Sequence, residues 1–190
     1  MKDPKQLIQS QKSFFETGKT RDISFIMGKL KRLKESIITN EDAIHQALYK
    51  DFKKPKFEAY ISEFGILISE IDIVLNNLLK WSKPKKVRAS KLNFPSKDYI
   101  YSEPYGTVLV IAPWNYPFQL AISPVISAIA AGNTVVLKPS EVSSHTAVII
   151  KTILSDIFDD AHLSVELGGV SETTTPVSYT HLTLPTILLV

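Results

Sequence analysis

Residues 107–112, Thr-Val-Leu-Val-Ile-Ala, form an aliphatic and β-branched run with no polar alternation. A strand of this kind is covered on both faces, so its neighbours must be helices and its sheet of the parallel α/β type. The segment that follows fits this requirement. Pro117 suits the first turn of a helix, residues 118–131 supply its apolar length with Pro124 as a kink, and Gly132 and Asn133 stop it. Residues 134–137 read as a second buried strand, Ser143 or Ser144 as the cap of a helix running to about Phe158, and residues 163–167 as a third short strand. The order β-α-β-α-β dictates right-handed crossovers and a parallel sheet, which takes ligands beyond the carboxyl ends of its strands.

Upstream, residues 7–81 carry helical periodicity. Ile23, Ile26, Leu30, Leu33 and Ile37 recur at three- and four-residue steps, and Asn40 followed by Glu41 and Asp42 offers a cap and an acidic first turn. After Pro55, the residues Phe57, Ile61, Phe64, Ile68, Ile71, Leu75 and Leu78 keep a 4-3-4-3 spacing, expected as a packing face rather than a coiled-coil seam. Residues 80–91 hold six basic side chains around the helix-breaking Pro84 and read as a solvated linker; beyond Trp81 at its start, no aromatic residue alternates with them, so stacking on bases is not supported. Residues 98–103 alternate weakly, as a short half-exposed strand would.

Both polar segments with chemical potential follow the first two strands and so share one sheet edge. Lys138 and Glu141 stand three residues apart in a turn held by Pro139. An acidic side chain after the second strand of a mononucleotide fold accepts hydrogen bonds from ribose hydroxyls, with a nearby lysine as donor and counter-charge; a plain surface ion pair is the competing reading. Asn115 sits between Trp114 and Tyr116 in a loop bracketed by Pro113 and Pro117, where its amide could donate to a developing oxyanion or merely serve the turn. No G-x-G-x-x-G follows the first strand, so the usual glycine turn for a diphosphate is absent.

The 190 residues, 44% of them apolar, are enough for a sizeable core, and a net charge of +3 spread along the chain does not point to nucleic acid. No cysteine is present, which removes disulfides, thiolate metal sites and a cysteine nucleophile from these residues. The four histidines, His45, His145, His162 and His181, lack metal-ligand spacing, and neither H-E-x-x-H nor G-x-S-x-G occurs, so no metal is expected. No apolar run reaches the length of a membrane span and the amino terminus lacks a signal-peptide core, making the cytoplasm the expected location.

Residues 105–118 and 128–141, together with the helical leader, resemble the aldehyde dehydrogenase superfamily and most closely its class 3 branch, over roughly residues 10–175. The resemblance implies NAD(P)+-dependent oxidation of an aldehyde to a carboxylic acid, on a Rossmann-like fold that binds its dinucleotide without the glycine fingerprint. It implies that Asn115 stabilises the tetrahedral oxyanion, that Lys138 and Glu141 contact the adenosine ribose, and that Ile111, Ala112, Pro113 and Trp114 supply backbone and ring contacts to the cofactor. Glu141 favours NAD over NADP, because a carboxylate repels a 2′-phosphate; NADP stays open for this branch.

Two of the family's signatures, the cysteine nucleophile and the G-[SN]-T-x-x-G cofactor segment, are absent. Residues 165–169 look like the general-base E-L-G-G motif, but Val170, Glu172, Thr173 and Thr174 follow directly, as in a G-G-V-x-E-T-T segment of class 3 relatives, so Glu166 is rejected as the base. Residues 177–186 resemble a translated sequencing adaptor. The sequence therefore leads to an α/β protein: a helical leader (1–81), a linker and short strand (82–105), a partial NAD(P)-binding unit (106–176) and a tail (177–190) that reads as non-native. The expectation is an aldehyde dehydrogenase fragment, inactive alone, from a homodimeric whole. A non-catalytic nucleotide-binding or basic interaction module is the alternative.

Overall fold

The computed structural model describes residues 3–90, 92 and 94–169. Five helices precede the sheets: α1 (Pro4–Glu16), α2 (Ile23–Thr39), α3 (Glu41–Phe52), α4 (Lys56–Ala59) and α5 (Gly65–Trp81), the last two joined by a π turn at Tyr60–Phe64. Strands β1 (Lys85–Val87) and β2 (Asp98–Ile100) follow, then β3 (Thr107–Ile111), α6 (Gln119–Ala130), β4 (Thr134–Lys138), α7 (Ser144–Ile157) and β5 (Leu163–Val165). The expected β-α-β-α-β order is therefore present, and β3, β4 and β5 pair in parallel in that spatial order. The basic stretch expected as linker also contains a strand, since β1 pairs antiparallel with β2.

The middle strand, β4, is buried at every position, whereas β3 is only half-buried and ends with Ile111 exposed. Full coverage of β3 was the expectation from its sequence. β3 is an edge strand among the described residues, but so is the buried β5, so edge position alone does not expose it; a β-branched run records strand propensity as well as burial.

One continuous core joins the leader to the sheet. Ile26, Leu30, Leu33 and Ile37 of α2, Leu67, Ile71, Val74 and Leu78 of α5, and the apolar faces of α6 and α7 all belong to the same cluster as Val135, Leu137 and Leu163. Gln11 of α1 is fully buried and donates to the backbone carbonyls of Val135 at 2.9 Å and Asp160 at 3.0 Å, tying the first helix to the central strand.

The stripe read after Pro55 is only partly the buried one. Phe57 and Ile61 are exposed, and the buried side chains run Ala59, Glu63, Phe64, Leu67, Ile71, Val74, Leu78. A π turn holds about one more residue than an α turn, so it rotates everything before it relative to everything after it. The 4-3-4-3 spacing carries no sign of that extra residue.

At the amino edge of the sheet, Gly132 adopts φ 87°, and a Cβ there would lie 2.8 Å from the Thr20 carbonyl oxygen. The stop after α6 thus requires glycine for space and for conformation. Asn133, also buried, accepts from the Gly106 amide at 3.0 Å and donates to the Ala128 carbonyl at 3.1 Å, fixing where β3 begins.

Candidate functional site

Parallel pairing brings the carboxyl ends of β3 and β4 to one edge, with Ile111 in register with Lys138. The Ala112 amide donates to the Lys138 carbonyl at 3.0 Å, so the loop after β3 starts where β4 ends. Ala112 is buried, whereas Pro113, Trp114, Asn115 and Tyr116 are exposed. Among the described residues the Asn115 side chain has no hydrogen-bond partner, which leaves its amide free to donate outward.

Lys138 is buried along its stem, and its ammonium pairs with the Glu141 carboxylate, which is about half exposed. The hydrogen bond from Lys138 holds the Glu141 carboxyl below its ordinary value, so Glu141 is a carboxylate at any pH near neutral. Ser140 turns the chain here: its hydroxyl accepts from the Val142 amide at 3.2 Å and sets the short 3₁₀ turn Glu141–Ser143. The result is a fixed anion with solvent-facing acceptor capacity, suited to hydroxyl pairs such as a ribose diol.

The leader supplies five residues that the sequence reading missed: Asp51, Phe52, Lys53, Lys54 and Glu63. Lys53, at φ 56°, ends α3 in the left-handed conformation and turns the chain so that Lys54 enters the interior. Lys54 pairs with Glu63, whose side chain is fully buried, and its ammonium also lies over the Tyr116 ring, 4.5 Å from the centroid. The other oxygen of Glu63 accepts from the Phe118 amide at 2.8 Å and the Gln119 amide at 3.3 Å, capping α6. The amino end of a helix after the first strand is where a mononucleotide fold places phosphate; here a carboxylate from the chain already fills it. Phe52 packs against Trp114 with ring centroids 6.4 Å apart.

Asp51 does the same for α7. Its carboxylate accepts from the Thr146 amide at 2.8 Å, the Thr146 hydroxyl at 2.7 Å and the His145 amide at 3.1 Å, and it meets the His145 ring at 2.8 Å. Burial pushes the Asp51 carboxyl up, but the hydrogen bonds from Thr146 and His145 outweigh it and hold the group below its ordinary value. Of the two serines expected as the cap, Ser143 occupies the cap position without bonding a helix amide, its hydroxyl donating to the Ser140 carbonyl instead, and Ser144 is the first residue of α7.

One sequence signal does lead to Glu63: it stands four residues after Ala59 and four before Leu67, a charged residue in line with two small or apolar ones. Asp51 and Lys54 carry no comparable signal.

A cavity of about 510 Å³ lies elsewhere, between α2, α5, the end of α6 and residues 101–104, lined by apolar side chains with Arg21 and Glu103 among them. It contains none of the edge residues. Among the described residues no group of three or more His, Asp or Glu could hold a metal ion, and no helix is long and apolar enough to cross a membrane.

A parallel sheet with crossover helices and a carboxylate–lysine pair at the end of its central strand is the start of a Rossmann-like α/β unit, here built onto a helical leader. The profile of the aldehyde dehydrogenase family matches residues 2–177, and the chain belongs to that family. The 4,4′-diaponeurosporen-aldehyde dehydrogenase of Staphylococcus aureus is 47% identical over 170 residues, 90% of this chain and 37% of that protein. The dimeric NADP-preferring aldehyde dehydrogenase of Mus musculus is 38% identical over 174 residues, 92% of this chain and 38% of its own length. The substrate-bound state of Staphylococcus aureus AldH superposes with a TM-score of 0.89 at 46% identity, over 92% of this chain and 38% of that one. The chain thus spans under two fifths of the relatives it matches. The non-native reading of residues 177–190 lies outside the described residues.

Proposed function

We propose that this chain carries the adenosine grip and the oxyanion donor of an NAD(P)+-dependent aldehyde dehydrogenase that converts an aldehyde to a carboxylic acid. The carrying observation is the Lys138–Glu141 pair at the end of the buried central strand, beside the loop whose Asn115 amide is unspent. Glu141 accepts from the ribose hydroxyls, and Lys138 both donates there and offsets the carboxylate. Ile111, Ala112, Pro113 and Trp114 form the adjoining wall. Asn115 donates its amide to the oxygen on which charge develops when the aldehyde carbon becomes tetrahedral. The bound dinucleotide supplies the hydride acceptor; these residues only bind and orient.

The family's thiolate nucleophile is not among the 190 residues, which contain no cysteine. Purified chain is therefore expected to oxidise no aldehyde above blank, and turnover would overthrow the assignment of roles. The exposed, ionised Glu141 supports a preference for NAD over NADP, against the name of the mouse relative; the Staphylococcus aureus relative makes 4,4′-diaponeurosporen-aldehyde a first substrate to try with the whole protein. A cytoplasmic homodimer is the expected setting.

Calorimetric titration with adenosine and with 2′-AMP tests the grip. Adenosine is expected to bind the chain and to lose about tenfold or more in affinity with Glu141→Ala, while 2′-AMP gains relative to adenosine in that variant. Equal adenosine binding by wild type and variant would remove the ribose role.

A further inference from the structure

Asn115 has no partner of its own, yet the chain around it is held from four sides. Before it, the Ala112 amide is tied to Lys138 at 3.0 Å. Beside it, Trp114 packs on Phe52 and Tyr116 lies under the Lys54 ammonium. After it, the Phe118 and Gln119 amides are held by Glu63, at 2.8 and 3.3 Å. Two of these holds, on Tyr116 and on Phe118, belong to a single buried ion pair, Lys54 with Glu63.

A buried ion pair is a poor way to gain stability, because the desolvation of both charges offsets their attraction and apolar side chains of the same volume do as well or better. Its distinctive property is direction: a carboxylate and an ammonium fix the groups they touch in one geometry. An oxyanion donor needs just that, since a donor displaced by an ångström loses most of its effect on the developing charge. We propose that Lys54 and Glu63 are positioning residues for Asn115, clamping the loop of residues 113–117 from the leader so that the Asn115 amide is preset. The proposal rests on Asn115 as oxyanion donor for its purpose, but its geometry is independent of any ligand.

The test uses the ¹⁵N-labelled 190-residue chain without nucleotide. Glu63→Ala alone strands a buried ammonium and threatens the fold, so the decisive variant is Lys54→Met combined with Glu63→Met, which replaces the pair by apolar side chains of similar size. The folded double variant is expected to show displaced or broadened Asn115 backbone and side-chain signals. Its Phe118 and Gln119 amides are expected to exchange about tenfold faster or more, while the His145 and Thr146 amides at α7 stay at wild-type rates. Lys54→Met combined with Glu63→Gln keeps an acceptor oxygen for the Phe118 amide with no ammonium left unpaired, and is expected to restore part of the wild-type Asn115 signals.

Wild-type Asn115 signals in the double variant would overturn the proposal. So would equal acceleration at α6 and α7, or loss of folding, since either makes the pair a general support rather than a clamp. Adenosine titration runs in parallel: a wild-type chain that fails to bind adenosine refutes the ribose grip and leaves the clamp standing, while wild-type Asn115 signals in the double variant, with adenosine binding intact, do the reverse.

Discussion

The amino ends of α6 and α7 face the same edge of the same sheet, and each is met by a shielded carboxylate from the leader, but with different partners. Glu63 is fully buried and shares its charge with Lys54, while Asp51 is held by a hydroxyl, two amides and the half-exposed ring of His145. Both carboxylates are shielded from water, with side-chain exposures of 0% for Glu63 and 3% for Asp51, so the difference lies in their partners: a buried ammonium for one, hydroxyl, amide and imidazole donors for the other. The α6 cap is therefore inseparable from its counter-ion, and the α7 cap is a set of bonds that can be lost singly.

The largest expected effect tests the first half of that contrast. Glu63→Ala should destabilise the chain by about 3–5 kcal/mol in urea titration, because it leaves Lys54 buried and unpaired and two helix amides bare. The paired Lys54→Met and Glu63→Met replacement should cost far less; if it costs as much, the buried charge is not the reason. Asp51→Ala should cost about 1–2 kcal/mol, with Asp51→Asn recovering part of it. A cost equal to that of Glu63→Ala would erase the difference between the caps.

Acid titration sharpens the contrast further. Asp51 has a folded value below 3.8, so its contribution is complete above that pH and is lost as the pH falls through the lower folded value. His162, buried among Phe14, Phe25 and Phe158, is lowered from 6.5 to about 4, chiefly by burial and then by Lys29. It binds protons in the unfolded chain first, so stability should fall by roughly 3 kcal/mol as the pH drops from about 6.5 to about 4. Asp51→Asn should flatten only the limb below that window, and His162→Phe only the window itself. The smallest expected effect is at Glu141: Glu141→Ala should leave the melting temperature unchanged and register only in adenosine binding.

Sequence pattern carried the fold where it depends on local spacing. The apolar residues 134–137 read as a buried strand and are one, and Gly132 with Asn133 ends α6 as expected. Lys138 and Glu141 were legible because both lie within one turn. Glu63 lies off the 4-3-4-3 stripe because the π turn displaces the buried face by about one residue, and only its four-residue spacing from Ala59 and Leu67 marks it. Asp51 was hidden for a different reason: it caps α7 from 95 residues away, and Ser143 offered a local cap of the right type at the right place. Long-range satisfaction of helix ends has no sequence period.

The two leader carboxylates also limit how this unit can be inherited. A gene rearrangement that moved only residues 106–169 would carry the strands and both helices into a new protein but leave behind the anions that seat them. Leader and sheet must therefore travel through evolution together, as one heritable block.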